Sequence, residues 1–413
     1  MHSEKKNLCL FTTAYPYGKQ VETFIDSELD TMGTLFEKVY IFPSFFDDAY
    51  VRPLPSNFEI VRLDQNWGHH SKRIFYSNIF LIFKILFFEF LFTKVKTQFF
   101  RNLFKYKNTL VHSIFISESL ANFVDEKEIS NPLYYSYWLN EWTITLGILK
   151  EKNKISHFIS RAHGFDIYEE RRADKVIPFR YLQLKMVDCV FSVSQRGCNY
   201  LKGLNLFPQK ITCSYLGVSD RGINPFDESQ IFTIVSCSNL MPLKRVHLII
   251  EILRKIKFPV SWVHFGDGDG NLLEEFKANA SILPENIKYN FMGHVPNSDV
   301  LDFYKKTSVN LFVLLSESEG LPMSLIEASS FGIPLLATDV GGVSEIVNER
   351  TGILVPPKID IEDVVLKIDD FRKGRYNTNE FRQGVKLFWA ENFNDSDNYN
   401  NFYNRCFEAV KAN

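Results

Sequence analysis

Ser316-Glu317-Ser318-Glu319-Gly320-Leu321-Pro322-Met323-Ser324-Leu325-Ile326-Glu327-Ala328 follows directly on the apolar run Val309 to Leu315. That run has the length and composition of a buried strand, and Pro322 suits the first turn of a helix. A strand is therefore expected to feed a helix N-terminus, with Gly320 letting the backbone approach a ligand closely. The free N–H groups of such an end attract an anion. Glu319 precedes the helix and Glu327 lies eight residues on, so the helical rise separates the two by about 10 to 12 Å with the positive helix end between them. Two hydroxyl-seeking carboxylates flanking a phosphate site suit a nucleotide-sugar, one on the ribose and one on the sugar. The spacing alone fits equally a solvated glutamate followed by one favoured by the helix dipole.

Outward from this segment, short apolar runs alternate with helix-period stretches, as in parallel sheets with crossover helices. One series contains Leu8 to Thr13, a helical stretch from Val21 to Met32, then Val39 to Phe42, Phe158 to Ser160, Cys189 to Val193 and Ile211 to Tyr215. The other contains Phe232 to Cys237, Val260 to Phe265, Ile287 to Met292, Val309 to Leu315 and Ile333 to Thr338. Between them Gly217 to Pro225 has turn composition and reads as a linker. Two doubly wound Rossmann-like α/β domains facing a cleft are expected.

The 413 residues leave room for two or three domains at roughly 150 residues each. With 47 Lys/Arg against 49 Asp/Glu, bulk nucleic-acid binding and disorder are disfavoured. The charge is unevenly shared: residues 1–217 hold 27 basic and 22 acidic side chains, residues 218–413 hold 20 and 27. The six cysteines form no CxxC pair and are expected to be reduced core residues of a cytosolic protein. The N-terminus offers only a short apolar run before Tyr15-Pro16, so secretion is not expected.

Ile74 to Phe104 places ten Phe in 31 residues, but Lys84 and Glu89 interrupt it, so a transmembrane helix is not expected. Lys72 to Lys107 holds eight Lys/Arg and one Glu. Basic charge beside aromatics fits an interfacial segment on anionic headgroups, and fits also a core helix pair with snorkelling lysines. The charge bias favours the membrane surface.

Three further constellations carry chemistry. Lys244 and Arg245 stand where a helix should begin after Phe232 to Cys237, which is unfavourable for the helix dipole unless an anion such as a diphosphate compensates. His163 and Asp166 share the loop after a strand, where open α/β sheets place ligands. Tyr17 and Gly18 hold the analogous place after the first strand. Gly266-Asp267-Gly268-Asp269-Gly270-Asn271 imitates a calcium loop, but Leu272 and Ala278 stand where Gly and Glu are required. It reads better as a turn near a diphosphate. No P-loop, zinc signature or nucleophile elbow is present.

Glu319 and Glu327 within Glu-Gly-Leu-Pro-Met-Ser-Leu-Ile-Glu-Ala, followed by Phe331-Gly332-Ile333-Pro334 and Gly341-Gly342-Val343-Ser344-Glu345, resemble the retaining family-four glycosyltransferases of the GT-B fold. Gly18, His163-Gly164, Lys244, Phe265-Gly266-Asp267-Gly268, Gly293-His294-Val295-Pro296-Asn297 and the aromatic tail extend the likeness over nearly the whole chain. Tyr134 to Trp138 and Ser160 to Gly164 look like bacterial members that build surface polysaccharides. The resemblance implies an acceptor-binding domain over 1–217, a nucleotide-sugar-binding domain over 218–386, and a C-terminal helix over 387–413 that crosses back.

It implies that Glu319 holds donor-sugar hydroxyls, Glu327 the ribose, Lys244 the diphosphate, and His163 the donor sugar near the reacting carbon. Gly293, His294 and Val295 would contact the base, with Gly266, Gly320, Leu321, Pro322 and Met323 lining the donor and Gly18, Tyr17 and Asp166 on the acceptor side. Many relatives carry Arg where this chain has Asn239, so Arg245 would supply that phosphate contact or the contact is lost.

The expected activity is sugar transfer from a nucleotide-sugar to an acceptor hydroxyl with retention, without metal or other cofactor. The acceptor would be a lipid-linked glycan, and the protein would sit peripherally on the inner face of the cytoplasmic membrane through 72–107. A GT-B nucleotide-sugar epimerase is disfavoured by that basic aromatic segment. A non-catalytic binding protein is disfavoured by the joint presence of Glu319, Glu327, Lys244 and His163.

Overall fold

The computed structural model describes residues 5–18, 21–64, 66–93, 95–172, 175–227, 230–268 and 270–411. Lys94 of the basic segment and Asp269 of the Gly-Asp alternation lie outside them. Contacts divide the chain into two units, residues 1–214 with 399–413 and residues 215–398.

The first unit is built on β1 (Leu8–Thr12), β2 (Val39–Pro43), β3 (Phe58–Ile60), β4 (Leu133–Ser136), β5 (Ile159–Ala162), β6 (Cys189–Ser192) and β7 (Ile211–Cys213), in the order β3-β2-β1-β4-β5-β6-β7. All neighbours are parallel. The central strands β1, β2, β4 and β5 are buried at every residue, which is why they read as continuous apolar runs rather than alternations. The second unit holds β8 (Phe232–Cys237), β9 (Val260–Phe265), β10 (Ile287–Phe291), β11 (Leu311–Leu314), β12 (Leu335–Thr338) and β13 (Gly352–Val355), all parallel, in the order β10-β9-β8-β11-β12-β13. The expected fold class holds for both units.

Three expectations need correcting. The stretch from Val21 is not one helix: Glu22 adopts a left-handed backbone at φ +53°, a 3-10 turn covers Thr23–Glu28, and an α-helix follows over Leu29–Leu35. The stretch Gly217 to Pro225 is not a free connector. Val218 pairs with Asn394, and buried Asn224 donates to the Thr307 carbonyl at 2.8 Å and accepts from the Val309 N–H at 3.0 Å. The tail contains two helices, Asn379–Phe393 and Asp395–Lys411, broken at Asn394. The second buries Phe402, Tyr403 and Cys406 against Leu8, Leu10, Tyr135 and Phe191 in the first unit.

The basic aromatic segment forms helices Ser71–Ser77 and Ile79–Phe92 and opens the long helix Lys96–Glu126. Its two faces differ. Ile74, Ile82, Ile85, Leu86 and Phe99 join the core, while Tyr76, Phe83, Phe87, Phe100 and Phe104 are exposed and Phe80 is 90% exposed. Among the described residues no single helix is long and apolar enough to cross a membrane, and the segments Trp67–Ser77 and Ile79–Phe92 are bent by 86° at their junction.

Candidate active site

In the second unit the chain runs outward from β8 to β10 and then returns to the other side of β8 as β11. Ligands of open α/β sheets sit beyond the strand C-termini at such a reversal. The loop after β8 and the loop after β11 are therefore neighbours, and Lys244 Nζ donates to Glu319 Oε1 at 2.6 Å across them. Glu319 is buried and Lys244 half-buried. The Glu317 N–H bonds the Leu243 carbonyl at 2.8 Å, tying the two loops together. Gly341, at φ +53°, packs on the same place, and a Cβ there would stand 1.7 Å from the Glu319 carbonyl oxygen.

Arg245 is held by backbone carbonyls. Its left-handed backbone at φ +49° reverses the chain between a 3-10 turn at Pro242–Lys244 and the helix Val246–Lys255. This sends the guanidinium to backbone carbonyls: Nε to Leu315 at 2.6 Å, one terminal nitrogen to Ser316 and the other to Pro357, each at 2.9 Å. Arg245 braces the end of β11, and Asn239 is exposed. The helix after Glu319 covers Met323–Ser330, with Pro322 as its N-cap rather than in its first turn. Leu321 and Pro322 are buried, and Gly320 and Met323 half-buried.

Glu327, on that helix, accepts from Asn297 Nδ2 at 3.0 Å. Desolvation pushes its carboxyl up to about 7, with the Asn297 bond and the Arg221 charge opposing. At pH values between the ordinary carboxylate range and 7 the folded chain thus keeps a proton that the unfolded chain has released, so this group's contribution to stability falls as pH rises through that window. Glu327→Gln is accordingly expected to gain thermal stability relative to the native chain between pH 5 and pH 8. A constant difference across that range would mean Glu327 is ionised throughout.

Two glycine loops close on the β8 loop. Gly266 donates to the Gly293 carbonyl at 2.9 Å, and a Cβ on Gly266 would lie 1.9 Å from the Ser238 carbonyl oxygen. Only glycine fits that approach. Val295 is half-buried and His294 exposed beside them. Asp267 turns its carboxylate back onto the Gly268 N–H at 2.8 Å.

In the first unit the reversal falls between β1 and β4. The loop after β1 turns the consecutive N–H groups of Thr13, Ala14 and Tyr15 onto the buried Glu22 carboxylate at 3.0, 2.7 and 2.7 Å, and the Trp138 indole N–H donates to it as well. This cluster explains the left-handed Glu22, and no residue pattern pointed to it. Trp138 in turn lies 4.4 Å from the His163 ring, which also stacks on Tyr137 at 5.0 Å. Burial lowers the His163 pKa against the pull of Asp166, favouring the neutral imidazole.

Asp166 and Tyr17 are both held by partners within the chain. The Asp166 carboxylate accepts the His163 N–H at 2.8 Å and the Leu139 N–H at 2.9 Å, which holds the loops after β5 and β4 together. Tyr17 is buried, and its hydroxyl accepts from Arg62 Nε at 2.9 Å. Gly18, at φ +79°, has only a Val21 methyl at 3.7 Å near its absent side chain.

A solved structure from Anabaena, HepE in complex with UDP-glucose, superposes with a TM-score of 0.68 over 98% of this chain and 99% of that one, at 13% identity. The chain therefore has the GT-B fold of glycosyltransferases. Residues 220–386 match the family model of glycosyl transferases group 1. The O-antigen biosynthesis glycosyltransferase WbnH of Escherichia coli is 38% identical over 138 residues, 33% of this chain and 37% of that protein. The putative colanic acid biosynthesis glycosyltransferase WcaL of Salmonella typhimurium is 24% identical over 255 residues, 57% of this chain and 59% of its own length. The matched part thus spans little more than a third of the first relative.

Proposed function

We propose that the protein transfers a sugar from a nucleotide-sugar to an acceptor hydroxyl, with retention at the anomeric carbon and without a metal ion, in the synthesis of a surface polysaccharide. The observation that carries this reading is the Lys244–Glu319 contact at the reversal between β8 and β11, beside the helix that bears Glu327. Glu319 accepts donor-sugar hydroxyls, Lys244 shares its ammonium with the diphosphate, and Glu327 holds the ribose. The loop at Gly293 to Val295 receives the base, and neutral His163 donates to the donor sugar near its reacting carbon. The acceptor oxygen attacks from the face the diphosphate leaves. The leaving phosphate oxygen takes the acceptor's proton, so no protein carboxylate acts as base, and Lys244 with the N–H groups at Met323 stabilises the departing charge. The named roles of WbnH and WcaL and the UDP-glucose in the HepE complex support this substrate class.

A panel of nucleotide-sugars tests it: the matching donor at 100 times its dissociation constant should add about 2.7 kcal/mol to stability. Transfer to a lipid-linked saccharide should follow with that donor and persist in EDTA. No stabilisation by any nucleotide-sugar sinks the reading, and loss of transfer in EDTA with rescue by a divalent ion sinks its metal-free form.

The acceptor is proposed to be lipid-linked, with the protein docked on the cytoplasmic leaflet through residues 72–107. The exposed aromatic side of Ile79–Phe92, flanked by exposed Lys72, Arg73 and Arg101, supports this. Each such cation near an anionic surface is worth about 1 kcal/mol and is screened by salt. Changing these three to Gln should weaken sedimentation with phosphatidylserine liposomes roughly a hundredfold at low salt, leaving donor binding unaltered. A native chain that ignores such liposomes at low salt removes the docking proposal.

A further inference from the structure

The first unit contains a cavity of about 550 Å³ behind the loops after β1, β2 and β4. A second, of about 370 Å³, shares Lys105, Thr109, His112 and Glu141 with it, so the two are continuous along one side of the helix Lys96–Glu126. The outer cavity is rimmed by Trp67 and by Phe104, which is 70% exposed and belongs to the aromatic face already described. The inner cavity is walled by Trp138, Trp142 and Tyr106 with Thr13, Asn140 and Gln183 among them. Gln183 is 1% exposed. Its amide nitrogen donates to the Asn140 carbonyl at 2.9 Å, which fixes the side chain in the cavity wall.

From outside to inside the path thus offers aromatic surface, a cation at Lys105, then aromatic plates with hydroxyl, amide and carboxylate groups. Each layer matches one part of a single amphiphile. Aromatic faces with amide and carboxylate partners suit a sugar ring, whose C–H faces stack and whose hydroxyls donate. An exposed lysine at the neck suits a phosphate as a point charge. Glu141 lines both cavities with Lys105, so the neck carries a carboxylate as well as a cation and is not a general anion site.

We infer that these joined cavities bind a phosphate-linked amphiphile, its hydrocarbon tail leaving over Phe104, its phosphate on Lys105 and its first sugar in the inner cavity. The inference rests on the lipid-linked acceptor proposed above and assigns its entry path. It places the acceptor's tail on the helix Lys96–Glu126, inside one unit, and makes Lys105 and Thr109 selective for a tailed acceptor.

Trp67, Trp138 and Trp142 line the path, whereas the remaining tryptophans, Trp262 and Trp389, are fully buried in the second unit. Tryptophan emission of the full chain therefore reads occupancy. Farnesyl phosphate below its micellar concentration, or dodecyl phosphate as the straight-chain arm, should shift that emission saturably. Farnesol should bind about tenfold or more weakly, and inorganic phosphate should not bind. Lys105→Glu should reduce farnesyl phosphate to the level of farnesol. Thr109→Phe, which fills the neck, should abolish the shift, with an unchanged thermal midpoint showing that the variant is folded. Nucleotide-sugar stabilisation, measured in parallel, reports the second unit. If it is absent while farnesyl phosphate binds, the donor reading fails and the path stands. No saturable shift with either tailed phosphate, or a shift unaltered in both variants but lost in Phe80→Ser, overturns the path and leaves only the outer aromatic face as the binder.

Discussion

Glu319→Ala is expected to lower turnover about 10²- to 10³-fold with little change in donor KM, while Glu327→Ala raises donor KM with turnover nearly intact. The difference follows from what each carboxylate touches under the proposed roles. Ribose hydroxyls keep the same charge from ground state to transition state, so Glu327 contributes uniform binding. The donor sugar gains positive character as its bond to the diphosphate lengthens, so a hydrogen bond from its hydroxyl to Glu319 strengthens then, a gain of about 3 to 4 kcal/mol. Lys244 complicates the first variant, since its ammonium is bonded to Glu319 at 2.6 Å. Removing either partner alters the other, and Lys244→Ala combined with Glu319→Ala should cost clearly less than the two single losses added. Steady-state kinetics of the four proteins would show it. Equal effects of Glu319→Ala and Glu327→Ala on both parameters would refute the division.

The second large effect concerns stability. Arg161 and Glu28 are fully buried in the first unit, with their charged groups 3.5 Å apart. Tyr403 donates to Glu28 at 2.9 Å, and the Arg161 guanidinium lies 4.0 Å from the centre of the Phe402 ring. Both aromatic residues come from the last helix, so this pair helps seat the tail. Arg161→Ala leaves a buried carboxylate without its counter-ion and should cost about 3 to 5 kcal/mol. Replacing both partners by apolar residues of similar size, Arg161→Met with Glu28→Leu, should return most of that loss, because two desolvation penalties disappear together. Urea unfolding followed by tryptophan emission distinguishes the cases. A single variant within 1 kcal/mol of the native chain would mean that water reaches Arg161.

How much was legible in the residues depended on whether a property was local. Strands such as Leu8 to Thr12 and Phe232 to Cys237 announce themselves because burial on both faces excludes charged side chains and leaves only an occasional hydroxyl in the apolar run. Phe58–Ile60 and Gly352–Val355 escape the reading because they are short and partly open at the sheet edges, and the buried strand Leu133–Ser136 because four residues ending in Tyr-Tyr-Ser make too brief a run. Lys244 and Glu319 were each legible as residues of a strand-end loop, but their pairing was not, since it depends on the winding order that makes the ends of β8 and β11 neighbours. Arg245 was not, because its side-chain direction depends on a left-handed backbone that no propensity assigns to arginine. The backbone partners of Asp166 were hidden for a related reason: a carboxylate in a strand-end loop looks the same in sequence whether or not it bonds backbone N–H groups. Glu22 was invisible, as its partners are main-chain groups of an adjacent loop.

That Glu22 cluster bears on stoichiometry. Both sheets wind in the way that commonly leaves the loop after a central strand open to a phosphate, so a chain with two of them has two places where a nucleotide could settle. In the first unit three successive amides are already saturated by a carboxylate of the chain itself, which adds a negative charge where a second diphosphate would have to stand. A calorimetric titration with a nucleoside diphosphate should therefore close at one equivalent, and excess free nucleotide should compete with the donor alone.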